Sequence, residues 1–227
     1  LTSKILLEHN YKYVSNPGYH FPQYKHHPRL FNEDNIAAVE IHKELVTEKY
    51  ASEFNYHFIT NNIIQKNGFS VLSYDDQKAL SIFSNQINDY GFRYKTIGLK
   101  NAYDFILLNS KKTGTDFTFH FNKLRTPIMF FIASVNYMFG GLGIDVRHNR
   151  KVEKHLKLFK SLLHSPKRRK LYSKIIYFKI SQSIRLKIIL RSFFNKEYRD
   201  WIVKRILDKE WQKEKLVQLG LKKPKDK

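Results

Sequence analysis

The chain has 227 residues, room for one domain or two small ones, and its 18 Phe and 14 Tyr give it the apolar content of a folded core rather than of a disordered chain. It has no cysteine, which excludes a disulfide framework, a thiolate metal site and a cysteine nucleophile. Net charge is +21 and uneven: residues 147–227 hold 26 Lys and Arg against 7 Asp and Glu, whereas residues 1–146 hold 15 against 13.

In chain order, LTSKILLEH (1–9) reads as the end of a helix, and YKYV (11–14) alternates as a short strand does. SNPGYHFPQYKHHP (15–28) carries the Pro and Gly of a loop. RLF (29–31) and IAAVEIH (36–42) flank the turn-forming NEDN, which predicts a β-hairpin. Residues 49–64 read as helical, and NGFSVLS (67–73) as an extended connector. Ser73 with Asp76 three residues on predicts a helix start, and Ala79, Leu80, Phe83 and Ile87 follow at helical spacing. In GLKNAYDFILLNSKK, Leu99, Tyr103, Ile106 and Leu107 predict a second helix with those four on one apolar face.

Thr126 before Pro127 is a cap and first-turn signature for a third helix, which Gly140-Gly141 stops. Residues 126–144 hold no charge. Pro127, Asn136 and three glycines interrupt them, so they predict a buried core helix rather than a membrane span. From about residue 145 the chain turns basic. Ser165-Pro166 predicts a helix start, KLYSKIIYFKISQSIRLKIILRSFF (170–194) mixes Lys and Arg with a broad Ile, Leu and Phe face, and Asn195 opens a further helix that Gly220 stops. The simplest account of the apolar residues in this tail is a helical cap packed on the preceding domain. The fold class expected is α+β: a small, partly antiparallel sheet in residues 1–48, a mainly helical body in 49–145, and a basic helical C-terminal region in 146–227.

The chain carries no phosphate-binding P-loop, no GxGxxG after a strand, no GxSxG elbow and no HExxH. His20, His26, His27, His42 and His57 fall close together, yet His26 and His27 point to opposite faces of a strand, and spacing alone does not make ligands converge. Glu40 is the odd residue. In strand 36–42, Ala37, Val39 and Ile41 form an apolar face, while Ile36, Ala38, Glu40 and His42 share the other, which turns polar along its length. A carboxylate projecting there either sits in solvent or stands where it can join others around a divalent metal.

The order of KILLEHNYKY, HHPRLFNEDNIAAVEIHKEL, GFSVLSYDDQKALSIF and GLKNAYDFILL resembles an uncharacterised bacterial branch of the polymerase-beta-type nucleotidyltransferases. The pieces that carry the likeness are EHNYKY, VEIH (39–42), VLSYDD (71–76) and LKNAYD (99–104), and it covers roughly residues 1–145. It implies an incomplete nucleotidyltransferase core in residues 1–48. Glu40 would be the third carboxylate of a Mg²⁺ site, with a catalytic role, and His42 and Arg29 would contact substrate. The family's Gly-Ser turn and Asp-x-Asp strand, which supply the other two carboxylates, are absent from this sequence. Either they lie ahead of Leu1, as a first residue other than Met suggests, or the protein is an inactive relative.

Three functions follow as expectations. One is transfer of a nucleoside monophosphate from a nucleoside triphosphate to an acceptor, with Mg²⁺. The second is a non-catalytic protein whose basic C-terminal helices bind a polyanionic partner, nucleic acid or an acidic protein, through Lys167, Arg168, Arg169, Lys170 and Lys174. The third is attachment to an anionic membrane surface through residues 170–194. The lack of cysteine and of a secretory leader pattern suits a cytoplasmic protein.

Overall fold

A computed structural model describes residues 2–14, 26–35, 37–110, 121–140 and 150–218, with side chains described to residue 213. Ser15, His20, Ile36, Gly141, Gly143 and Gly220, on which parts of the sequence reading rest, lie outside them. The described chain is mostly helical, with two small antiparallel sheets. Its elements in order are α1 (Thr2–Glu8), β1 (Lys12–Tyr13), β2 (Leu30–Phe31), α2 (Tyr56–Thr60), β3 (Ile64–Lys66), β4 (Phe69–Val71), α3 (Tyr74–Phe83), α4 (Gly91–Tyr94), α5 (Leu99–Asn109), α6 (Arg125–Phe139), α7 (Arg150–Leu163), α8 (Pro166–Phe194), α9 (Lys196–Leu207) and α10 (Lys209–Gln218). Packing groups the chain into two compact units, one of Leu1–His42 with Lys179–Lys227, the other of Lys43–Phe178. The division falls within α8.

The second unit holds the main core. Phe54, Phe83 and Phe121 meet edge to face, with ring centroids 5.0–6.1 Å apart, and Phe105 meets Phe131 at 5.6 Å in the same way. Such contacts add to the burial of large aromatic surfaces. Ser73 caps α3 as its spacing predicts: its Oγ accepts the Asp76 N–H at 3.1 Å and donates to the Asp76 carboxylate at 2.7 Å. Ala79, Phe83 and Ile87 are buried, as the helical spacing requires.

Several expectations fail locally, each for a physical reason. Residues 49–64 make only a short 3₁₀ turn, Glu48–Tyr50, and the five-residue α2 before the chain enters β3. The connector at 67–73 is instead the second half of a hairpin, in which Ile64 pairs with Val71 and Lys66 with Phe69. Asn67 and Gly68 form its turn with φ of 51° and 79°, the left-handed pair a two-residue type I′ turn requires. The sequence signal was the Asn-Gly dipeptide itself. On α5 the core side is Ala102 and Phe105, while Leu99 and Tyr103 are more than half exposed, so the apolar face lies one step round the helix from the predicted one.

Thr126 does not cap α6, which starts at Arg125. The cap comes from far away in sequence. The Glu53 carboxylate accepts the backbone N–H groups of Asn122, Lys123 and Leu124 at 3.1, 2.8 and 3.2 Å, satisfying donors that the helix leaves open and placing a negative charge at its positive end. Gly140 ends α6 with φ of 86°. The helix predicted from residue 196 onward breaks at Asp208 into α9 and α10; Asn195 caps α9 as expected. Ser165 likewise receives the Arg168 N–H at the start of α8, with Pro166 in the first position.

In the tail, α7 is packed on the body as expected, with Val152, His155, Phe159 and Leu162 buried and Val152 part of the main core, whereas α8 buries far less. Ile180 is the single buried residue of α8, and Leu171, Phe178, Leu186, Ile189 and Phe193 are all more than half exposed. Among the described residues no helix is long and apolar enough to cross a membrane.

Candidate functional site

The first unit brings Glu40 together with three of its neighbours. NEDN turns as predicted: the Asn32 side chain accepts the Asp34 N–H at 2.9 Å, and the Asn35 N–H donates to the Asn32 carbonyl. Leu30 and Val39 then exchange both backbone hydrogen bonds, at 2.9 and 2.6 Å. This register sets Arg29 opposite Glu40, and buried Leu30 beside half-buried Val39 on the other face.

A continuous antiparallel register would next pair Pro28 with Ile41 and His26 with Lys43. The bridge instead joins His26 to His42, with the His27 N–H donating to the Ile41 carbonyl at 2.8 Å. One extra residue is therefore accommodated between His26 and Leu30. Pro28 sits there and has no N–H to offer a ladder. Because side chains alternate with period two, this one-residue slip turns His26 onto the face that carries Glu40 and His42.

The resulting cluster is close. His26 Nδ1 lies 3.5 Å from Glu40 Oε1, and Glu40 Oε2 lies 3.8 Å from Arg29 Nη2 and 4.0 Å from His42 Nε2. The two imidazoles meet edge to face at 4.4 Å. Glu40 and His42 are each about two-fifths exposed, so water and small ligands reach them. One ligand atom from each of His26, Glu40 and His42 falls within 4.8 Å of the others. Three ligands at about 2.1 Å from a shared tetrahedral ion stand about 3.4 Å apart, so these side chains would have to close by up to about 1.4 Å to share one ion.

Two imidazoles and one carboxylate are the donor set of Zn²⁺ or Fe(II). The Mg²⁺ that the resemblance implies does not fit it, because Mg²⁺ takes an octahedron of oxygens. Among the described residues this is the one three-residue cluster of metal-ligating side chains. Glu40, His42 and Arg29, singled out from the sequence, thus come together; His26, weighed among the clustered histidines and set aside because spacing alone does not make ligands converge, joins them through the shift of register.

The basic residues expected to bind anions lie exposed on α8. Lys167, Arg168, Arg169 and Lys170 are consecutive, and successive helical residues turn by about 100°, so the run splays round the helix instead of forming one patch. Arg168 Nη1 donates to Ser161 Oγ at 3.2 Å. Lys167, Lys170 and Lys174 share one side by their spacing of three, four and seven.

A second constellation, Ser134 with His155, resembles a nucleophile and its base but is structural. Ser134 Oγ lies 2.8 Å from the Phe130 carbonyl and 3.0 Å from His155 Nε2, and the roles in the second contact depend on the ring's tautomer. Buried Nδ1 has no protein hydrogen-bond partner. The ring stacks on Phe130 and Phe159, with centroids 4.1 and 6.1 Å away. Burial, with the Lys95 charge adding to it, pushes His155 down to about 3.

Comparisons with protein-family models, with curated proteins and with solved structures found no match to this chain.

Proposed function

We propose that the chain is nucleotidyltransferase-like and holds the phosphates of a nucleoside triphosphate at Arg29, His26 and His42, beside Glu40. The observation that carries this reading is the shared face: the Arg29 guanidinium and two imidazoles surround one carboxylate on an exposed strand pair. Arg29 is more than half exposed and offers the planar fork that suits phosphate oxygens. The imidazoles add further N–H donors. Glu40 is the carboxylate that the family resemblance assigns to the reaction centre. One carboxylate does not make a two-metal site, so the reading commits this chain to nucleotide binding; transfer calls for two further acids that the described residues do not place here.

The test is titration of the full chain with ATP and GTP, followed by calorimetry. Binding in the micromolar to millimolar range is expected, weakened about tenfold by Arg29→Ala through loss of charge-assisted hydrogen bonds. Glu40→Gln leaves metal-free binding intact or tightens it, because it removes a negative charge facing the phosphates. Affinity unchanged in Arg29→Ala, or no binding of either nucleotide at millimolar concentration, refutes the reading.

A further inference from the structure

We propose that His26, Glu40 and His42 bind a Zn²⁺ ion that staples the N-terminal segment of the first unit. The call for a staple shows in how little this segment buries. Of the described residues from Thr2 to His42, Leu30 alone is buried; α1 buries nothing, and β1 and β2 are two residues each. Pairing outside those strands consists of two single bridges, His26 with His42 and Leu30 with Val39. Short ribbons with so small an apolar face are marginal in water. Small folds of this kind are commonly held by disulfides or by a metal, and the chain has no cysteine.

The backbone presents the three ligands as a chelate. The bridge sets His26 directly opposite His42, and residues so placed have Cβ atoms about 4.5–5.5 Å apart. Glu40 stands two residues before His42 on the same face, diagonal to His26. An ion held there crosses the two segments at the register shift beside Pro28, where the ladder itself is interrupted. The side chains have room to close on it. Glu40 lies 3.5, 3.8 and 4.0 Å from His26, Arg29 and His42, all longer than charge-assisted hydrogen bonds of about 2.7–2.9 Å. The outer torsions of Glu and His are broad, and Glu40 and His42 are partly exposed, so rotation can move the donor atoms by the required ~1.4 Å without shifting the strands. Donor chemistry selects the ion. Mg²⁺ and Ca²⁺ take oxygens, whereas two imidazoles and a carboxylate suit Zn²⁺, which brings no redox chemistry to a staple and keeps a fourth position for water.

The inference goes beyond nucleotide binding and is tested without nucleotide. The full chain, treated with a chelator and dialysed, is titrated with Zn²⁺ alone. Calorimetry should show one ion per chain with a Kd in the micromolar range or tighter, and Co²⁺ in its place should give the visible absorption of a tetrahedral site. His42→Ala and Glu40→Ala should each weaken Zn²⁺ about tenfold or more while keeping the circular dichroism of the parent chain. His57→Ala, at an exposed histidine outside the cluster, should bind as the parent does. The amides of Leu30 and Val39, which hydrogen-bond across the strand pair, should exchange with deuterium several-fold more slowly once Zn²⁺ is added to the parent, and show no such change in His42→Ala. Arg29→Ala, which should weaken nucleotide binding, should keep its Zn²⁺ affinity, so the two readings fail separately. Three results overturn the proposal: no stoichiometric Zn²⁺ binding to the parent at tens of micromolar, binding by both cluster variants as tight as the parent's, and binding that leaves exchange at Leu30 and Val39 unchanged. The first and third are read on the parent chain and decide the matter even if a variant fails to fold.

Discussion

Acidification is the sharpest perturbation of the second unit, because His155 is held neutral there. The residue is 5% exposed, its ring stacked on Phe130 and Phe159, and Nε2 is hydrogen-bonded to Ser134. A folded-state pKa of about 3 against an ordinary 6.5 means that the unfolded chain binds this proton first as pH falls. The stability tied to neutral His155 is therefore complete above pH 6.5 and is lost progressively from there down to about pH 3. Each pH unit in that window costs about 1.4 kcal/mol, so the loss between pH 6 and pH 4 is about 2–3 kcal/mol, and across the full window it is about 5 kcal/mol. Net stabilities of domains are about 5–15 kcal/mol, so a loss of that size is within reach of acid unfolding.

Buried Asp76 works with the opposite sign. Burial raises its pKa, so acid relieves a cost there, and a comparison of variants must separate the two. Urea unfolding of the parent chain and of His155→Gln, followed by circular dichroism from pH 7.5 to 4, does so. The variant should be less stable at pH 7, and its stability should fall with acid by about one proton's worth less per pH unit. Equal slopes in the two proteins would refute the assignment of a buried neutral imidazole.

Glu53→Ala should destabilise the chain by about 2–3 kcal/mol in chemical unfolding, because three N–H groups ahead of α6 lose their acceptor; Glu53→Gln should recover only part of it, since a neutral amide keeps an acceptor oxygen but loses the charge at the helix end. Gly68→Val forces a β-branched residue to φ of 79° in the β3–β4 turn and should lower the melting temperature, whereas Gln65→Thr on the exposed β3 strand should leave it nearly unchanged. Gly91→Ala should cost more than the helix propensity of alanine returns, because its Cβ would stand 2.8 Å from the Asn85 carbonyl oxygen and 2.9 Å from that of Thr96, both backbone atoms; a stabilised Gly91→Ala variant would contradict that packing.

Much of the local structure is legible in the amino-acid sequence. Ser73 with Asp76, Ser165-Pro166, Asn195 and Gly140 mark helix ends because capping chemistry acts between near neighbours, and NEDN turns because Asn32 can accept from its own backbone two residues on. The exposed carboxylate of Glu40, with His42 two residues along the same face, follows from strand alternation alone. What only the tertiary structure decides is what comes from elsewhere in the chain. Glu53 caps a helix some seventy residues away, Ala102 and Phe105 rather than Leu99 and Tyr103 meet the core, and the extra residue at Pro28 swings His26 into the Glu40 cluster. The same holds for α8. Its sequence shows apolar and basic residues interleaved, yet which apolar side is covered and which stands in water depends on what packs against it. Local rules depend on spacing, which a sequence displays; register, face and cover depend on contacts between distant segments, which it does not.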